Sequence, residues 1–222
     1  MKKIIILGTG GNCVDILETI HEINRVSGTP VYECAGFLDD HKPNWKKEFS
    51  GVKVLGPLDS APDYPDCLFV NGIGSPLNFW RKESIIARTR IPRNRFTTII
   101  HPTASVSPTA VLGSGTVVLP LVTIASNAQI GDHVIVLPQA VVSHDDRIGD
   151  YTCIAGGACI SGGVSVGRSC YLGANCSIIG NIHIGDYSMI GMGSVVLGHV
   201  AENSVMVGNP AQWKRKACEE RN

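Results

Sequence analysis

Two hydrophobic grammars divide the chain near residue 95. Up to that point, apolar runs of strand length alternate with a stretch of helical period. "KKIIILG" predicts a short buried strand, "GTGGN" a glycine turn, and "CVDILETIHEI" a helix with Val14, Ile16, Leu17, Ile20 and Ile23 at helical spacing. "YECAGFL" predicts a second strand ending in "DDH", and "CLFVNGIG" a third. "SPLNFWRKESIIARTR" then reads as a helix with Ser75 and Pro76 at its start. This order predicts a small parallel α/β sheet of Rossmann-like type over residues 1–95.

From Ile100 the period changes to six. Every sixth residue from Ile100 to Val196 is Ile, Val or Leu, seventeen positions without exception, and the series stops at Glu202. Such an array is built from short equivalent units that each bury one side chain and stack on one another. Glycine follows the aliphatic residue at 113, 131, 149, 167, 173, 185 and 191, consistent with tight turns or close backbone approach. Four residues after each aliphatic, the side chain is small or apolar in every unit but one, where Asp146 stands.

That exception belongs to "VVSHDDRIGD", which groups His144, Asp145 and Asp146. A carboxylate should not be buried unpaired. The expectation is therefore a rung that distorts at Asp146 and pushes His144 and Asp145 outward.

The period of six, with one buried aliphatic per rung, resembles the hexapeptide-repeat acyltransferases. The resemblance implies a left-handed parallel β-helix with three rungs per coil over residues 96–222, and a homotrimer. With three rungs per coil, residues eighteen apart stack about 4.8 Å from one another. The column through His144 then reads Pro108, Ser126, His144, Gly162, Gly180, Gly198. Three successive glycines leave a strip free of side chains, a groove suited to a narrow extended ligand. Glycines that merely serve turns are the alternative.

In the family, the pantetheine arm of coenzyme A lies in such a groove along the seam between two subunits. By resemblance, acetyl-CoA is the co-substrate, and "SHD" supplies His144 as general base with Asp145 orienting its ring. Gly162 offers a backbone N–H to the developing oxyanion. The terminal "VMVGNPAQWKRK" resembles the family's last segment, which places Gly208, Asn209, Pro210 and Ala211 near the adenine end. Lys214, with Arg215 and Lys216, either reaches the 3′-phosphate or forms a solvated basic tail.

Composition narrows the partners. Nineteen basic and nineteen acidic residues balance, so no net charge points to nucleic acid or a membrane surface. The apolar run of "MKKIIIL" ends at Gly8, too early for a signal peptide, and no stretch is long enough to span a membrane. A cytoplasmic protein is expected. The eight cysteines lack C-x-x-C spacing, which predicts reduced packing residues. A zinc site of the kind some β-helices carry needs converging histidines. His133, His144, His183 and His199 occupy different rung phases and sides, so no metal is expected.

In the first half, "GTGGN" between strand and helix presents backbone N–H groups at a helix N-terminus, an anion site. As a dinucleotide fingerprint it fails, because Cys13 stands at the third glycine and no acidic residue lies about twenty positions on; NAD is disfavoured. The order "GTGGN", "FLDD", "GIGSPLNFWRK", "IHPTASVSPTAVLGSGTVV" is similar to that of the bacterial sugar O-/N-acyltransferases related to sialic acid O-acetyltransferases. By that resemblance Thr9, Gly10 and Gly11 face phosphate, Asp39 and Asp40 the base or ribose, and Ile73 and Gly74 line the pocket. Asp39 and Asp40 also read as turn residues. Arg81 serves phosphate or the exposed side of its helix.

The leading expectation is acetyl-CoA-dependent N-acetylation of the 4-amino group of a UDP- or GDP-linked 4-amino-4,6-dideoxy sugar, for bacterial glycan biosynthesis. Sugar O-acetylation of the sialic acid type is the enzymatic alternative, since one base serves amine or hydroxyl. A non-catalytic trimeric scaffold or nucleotide-sugar sensor is the other.

Overall fold

The structure, a computed structural model, describes residues 1–218. The N-terminal half comprises β1 (Lys2–Leu7), α1 (Gly11–Ser27), β2 (Tyr32–Leu38), β3 (Glu48–Phe49), β4 (Val52–Gly56), β5 (Leu68–Asn71) and α2 (Lys82–Arg88). They form one sheet of order β3-β4-β2-β1-β5, parallel except for the β3–β4 hairpin. Ile4 to Leu7 are fully buried, as befits a central strand covered on both faces.

Two local expectations change. The β3–β4 hairpin was not predicted: Ser50 and Gly51 both take positive φ, 47° and 80°, the turn that matches the twist of paired strands. The helix expected from Ser75 begins at Lys82 instead. The chain does turn at Ser75, whose carbonyl accepts from the N–H of Asn78 at 3.1 Å and of Phe79 at 3.0 Å, but Asn78 at φ −148° leaves the helical conformation, and a 3-10 turn over Phe79–Arg81 leads into α2.

From Ile99 the chain is a parallel β-helix of two-residue strands, pairing at a spacing of eighteen, as in Val141↔Cys159 and Val142↔Ile160. The strands form three sheets, the faces of a triangular prism. The repeating aliphatic residues fill its interior and are buried from Val118 to Val196, whereas Ile100, on the first coil, is 38% exposed. Each corner turns through one residue of positive φ, at every sixth position from Gly115 to Gly193. Glycines such as Gly113 and Gly149 serve a different purpose, since a Cβ there would strike the backbone one coil away.

The α/β domain covers one face. Ile99, Val117, Ile135 and Cys153, eighteen apart and pointing outward, are buried against Ile4, Ile6, Ile16 and Leu17. Equivalent outward positions on another face are Val111, Gln129, Arg147 and His183, all exposed. At the C-terminal end, Ser204–Gly208 extends the covered face's sheet and pairs antiparallel with Ala211–Lys216.

Candidate active site

His144 stands at the corner between strands Val141–Val142 and Arg147–Ile148, both held by ladders to the coils on either side. This corner is opposite the face that the α/β domain covers. Asp145 is its left-handed residue, φ 62°. The Asp145 N–H donates to Ser126 O, and the Gly163 N–H donates to His144 O, both at 3.0 Å. Backbone bonds therefore fix the turn from below and above.

The side chains form a chain of three. Asp145 Oδ2 lies 2.8 Å from His144 Nδ1, and Asn127 Nδ2 donates to Asp145 Oδ1 at 3.1 Å. The bonds from His144 and Asn127 hold the Asp145 carboxyl below the usual carboxylate range. A carboxylate only accepts, so Nδ1 donates the hydrogen of this bond, and in the neutral form of the ring Nε2 is the nitrogen that presents a lone pair. Asn127 escaped the sequence reading; it lies eighteen residues before Asp145, and that spacing was the available signal.

The predicted column is present. An ideal Cβ on Gly162 would fall 2.5 Å from both Cε1 and Nε2 of His144. Gly162 has no positive φ, so its glycine is required by room for the ring and not by turn geometry. Its N–H donates to no group among the described residues. At Gly180 a Cβ would meet Gly162 O at 2.8 Å, while at Gly198 nothing lies within 4 Å. The strip is thus narrow beside His144 and open at its far end.

Asp146 corrects an expectation. The rung keeps its strand register, and His144 and Asp145 point outward because corner residues do so, not because the rung is distorted. Asp146 is wholly buried, and its carboxyl is paired: Oδ2 accepts from the Ser143 N–H and Oδ1 from the Val164 N–H, each at 2.8 Å. Burial outweighs these two donors and raises its pKa to about 7.

A second cavity, of about 760 Å³, opens at the carboxyl ends of β1, β2 and β5. β1 has β2 on one side and β5 on the other, so this is the switch point where open α/β sheets take ligands. Gly8 has φ 96°, and a Cβ there would sit 2.9 Å from Ile73 Cγ1 and 3.0 Å from Cys13 Sγ. Cys13 thus packs where α1 comes closest to the loop. Burial pushes its thiol up to about 12, which makes it a packing group.

Gly10 and Gly11 face open space. Thr9 donates its hydroxyl hydrogen to Asp39 Oδ2 at 2.5 Å and accepts from Asn44 Nδ2 at 2.8 Å. Among the described residues, the N–H groups of Thr9, Gly10, Gly11 and Asn12 have no partner and are free to meet an anion. Asp39 also accepts from the His41 N–H at 2.7 Å, so it is a turn residue as well as part of the cavity lining. Asp40 accepts from the Leu58 N–H at 3.0 Å and pairs with Arg88 at 2.7 Å. Ile73, Gly74 and Arg81 line the same cavity, where Asn12 Nδ2 donates to Gly74 O at 3.0 Å.

The predicted cofactor residues do not all meet within one chain. Gly208 donates its N–H to Ser194 Oγ at 3.1 Å, which places the Gly208–Ala211 turn at the corner after Met189–Ile190. The corner of His144, Gly162, Gly180 and Gly198 is a different one. Lys214 is exposed on the last strand, and Arg215 Nη1 donates to Lys216 O at 2.8 Å. Among the described residues, no group of three or more His, Cys, Asp or Glu is placed to hold a metal ion.

Residues 3–85 match the family described as PglD N-terminal domain, and residues 109–144 and 163–198 match bacterial transferase hexapeptide (six repeats). The chain is 37% identical over 123 residues to UDP-N-acetylbacillosamine N-acetyltransferase of Bacillus subtilis (strain 168), covering 53% of this chain and 51% of the relative. It therefore spans about half the length of that curated relative. The crystal structure of PerB from Caulobacter crescentus in complex with CoA and GDP-perosamine is similar over 97% of this chain and 98% of that one, with 28% identity and a TM-score of 0.82. The acetyltransferase domain of PglB from Neisseria gonorrhoeae FA1090, in complex with acetyl coenzyme A, shares the fold at 22% identity and TM-score 0.80, over 96% and 99% of the two chains.

Proposed function

We infer that this chain, which belongs to the hexapeptide-repeat sugar acyltransferase family, is an acetyl-CoA-dependent N-acetyltransferase. Its substrate on this reading is the 4-amino group of a nucleotide-linked 4-amino-4,6-dideoxy sugar, within bacterial glycan biosynthesis. The observation that carries the inference is the His144–Asp145 pair, with the imidazole edge lying over a glycine whose N–H is unpartnered.

Acetyl-CoA supplies a thioester carbonyl. Gly162 donates its N–H to the oxygen of that carbonyl as negative charge develops there. His144 Nε2 removes the proton from the attacking sugar amine, and Asp145 stabilises the imidazolium that results. His144 then returns the proton as the carbon–sulfur bond breaks, so CoA leaves as the thiol and the sugar as the amide.

Two placements support a homotrimer. His144 lies at the corner opposite the face covered by its own α/β domain. The Gly208–Ala211 turn stands at a different corner from the glycine strip. A neighbouring copy brings a nucleotide-sugar cavity and a terminal turn to each His144. Thr9, Gly10 and Gly11 supply N–H groups to the diphosphate at the start of α1, and Asp39, Asp40, Ile73 and Gly74 enclose the nucleoside. Among the described residues no helix is long and apolar enough to cross a membrane. Eight free cysteines, five of them buried, fit a reducing compartment, and we place the enzyme in the cytoplasm.

The test is incubation with acetyl-CoA and a panel of UDP-, GDP- and dTDP-linked 4-amino sugars while free thiol is followed. Thiol release with at least one amine is expected. Release only with hydroxyl acceptors such as sialic acid would replace this reading with O-acetylation, and no release with any acceptor would leave the non-catalytic scaffold.

A further inference from the structure

Every sixth residue from His101 to Ile179 donates its N–H to the carbonyl seventeen residues ahead, with one exception. The exception is Ser143, the residue before His144, whose N–H turns instead to Asp146 Oδ2. The other oxygen of the same carboxyl takes the N–H of Val164 on the next coil, two residues beyond Gly162. The ladder bond that this arrangement gives up, Ser143 N–H to Ile160 O, remains available to a side chain that does not compete for it. At the equivalent position other rungs carry Ala104, Ala110, Ala128, Ala140 and Ala158, so the prism needs no carboxyl there.

We propose that Asp146 is a positioning residue, whose carboxyl ties the His144 corner to the Gly162 coil and sets the imidazole above that glycine. The proposal rests on reading His144 as the base and adds what holds it in register with the oxyanion donor. Asp146 touches neither substrate; it acts through the Ser143 and Val164 backbone. One side chain thereby spans both parts of the site, and the fold gives up a ladder bond and buries a carboxyl for it.

The test compares wild type with Asp146→Ala and the near-isosteric Asp146→Asn, in kinetics, thermal stability and crystal structures. Alanine fits this position elsewhere in the repeat, so Asp146→Ala should fold with unchanged or higher Tm. Its kcat should fall by roughly tenfold to a hundredfold, the scale of a small misplacement of a catalytic group, while the KM for acetyl-CoA stays within about twofold. In the crystal, the Ser143 N–H should return to Ile160 O and the His144 ring should shift relative to Gly162. Asp146→Asn, which keeps one acceptor oxygen, should lie between the two.

An unmoved ring, or an unchanged kcat, would overturn the proposal. So would a loss of kcat that follows a lowered Tm and a raised KM in both variants, the pattern of a merely structural residue. A wild type that releases no thiol with any acceptor would defeat the N-acetyltransferase reading instead, and the ring position would still decide whether Asp146 sets the corner.

Discussion

The ring of His144 and the α-carbon of Gly162, eighteen residues apart, stack so closely that one added methyl group would fall 2.5 Å from both Cε1 and Nε2. Glycine at 162 is therefore part of the base's geometry. Gly162→Ala is expected to displace the imidazole and lower kcat by on the order of a hundredfold, with Tm little changed because the site faces outward. Steady-state kinetics beside a melting curve check this; an alanine variant with normal kcat would show that the ring does not work in this position.

Farther along the strip the demand is different. A Cβ at Gly198 meets nothing within 4 Å of its own chain. Gly198→Leu should leave Tm and the KM for the nucleotide sugar intact and raise the KM for acetyl-CoA severalfold, if the strip holds the pantetheine arm. Equal affinity for acetyl-CoA in calorimetry would remove the strip from the cofactor path.

Asp145 reaches His144 with one oxygen and Asn127 with the other. Asp145→Asn removes the charge that stabilises the imidazolium, and the expected loss is on the order of a hundredfold in kcat, with both KM values nearly unchanged. Asn127→Ala should cost less, since it only orients the carboxylate.

The buried carboxyl of Asp146 makes a separate prediction about stability. Its folded pKa, raised to about 7 from 3.8, means that the native state keeps a proton through the interval in which the unfolded chain has lost it. Stability from this group therefore falls as pH rises from about 4 to about 7, and levels off above. The Tm of Asp146→Ala minus that of wild type should grow between pH 5 and pH 8. A difference that is constant or shrinks over this range would contradict the raised pKa.

At the other cavity, Gly10 caps α1 with φ −70° and ψ 175°, a conformation any residue adopts, and a Cβ there faces open space. Gly10→Ala should fold normally, and it should raise the KM for the nucleotide sugar by crowding the N–H groups that meet the diphosphate. An unchanged KM would move the diphosphate elsewhere in the cavity.

The β-helix was legible because each rung buries one aliphatic side chain, which makes the period of six a direct record of packing. The same spacing exposed the His144 corner as a break and, multiplied by three, aligned His144 with Gly162. Other features left weaker traces. Asn127 is an ordinary corner asparagine until Asp145 is stacked upon it. The role of Asp146 depends on two backbone N–H groups, which no side-chain pattern records. The α2 boundary lies later than expected because Asn78 leaves the helical conformation at φ −148° and a 3-10 turn over Phe79–Arg81 intervenes. The docking face was not read from the sequence: Ile99, Val117, Ile135 and Cys153 are apolar just before the buried series, but so are Val111, Val141 and Val195 on the other faces.

The central claim is that His144 is the general base of an acetyl transfer. It is tested most directly by His144→Ala, assayed for thiol release with acetyl-CoA and whichever nucleotide amino sugar the wild type accepts. Turnover should fall by roughly a hundredfold to ten-thousandfold, while the variant still binds acetyl-CoA with wild-type affinity. Turnover close to wild type in a variant that binds both substrates normally would contradict the assignment.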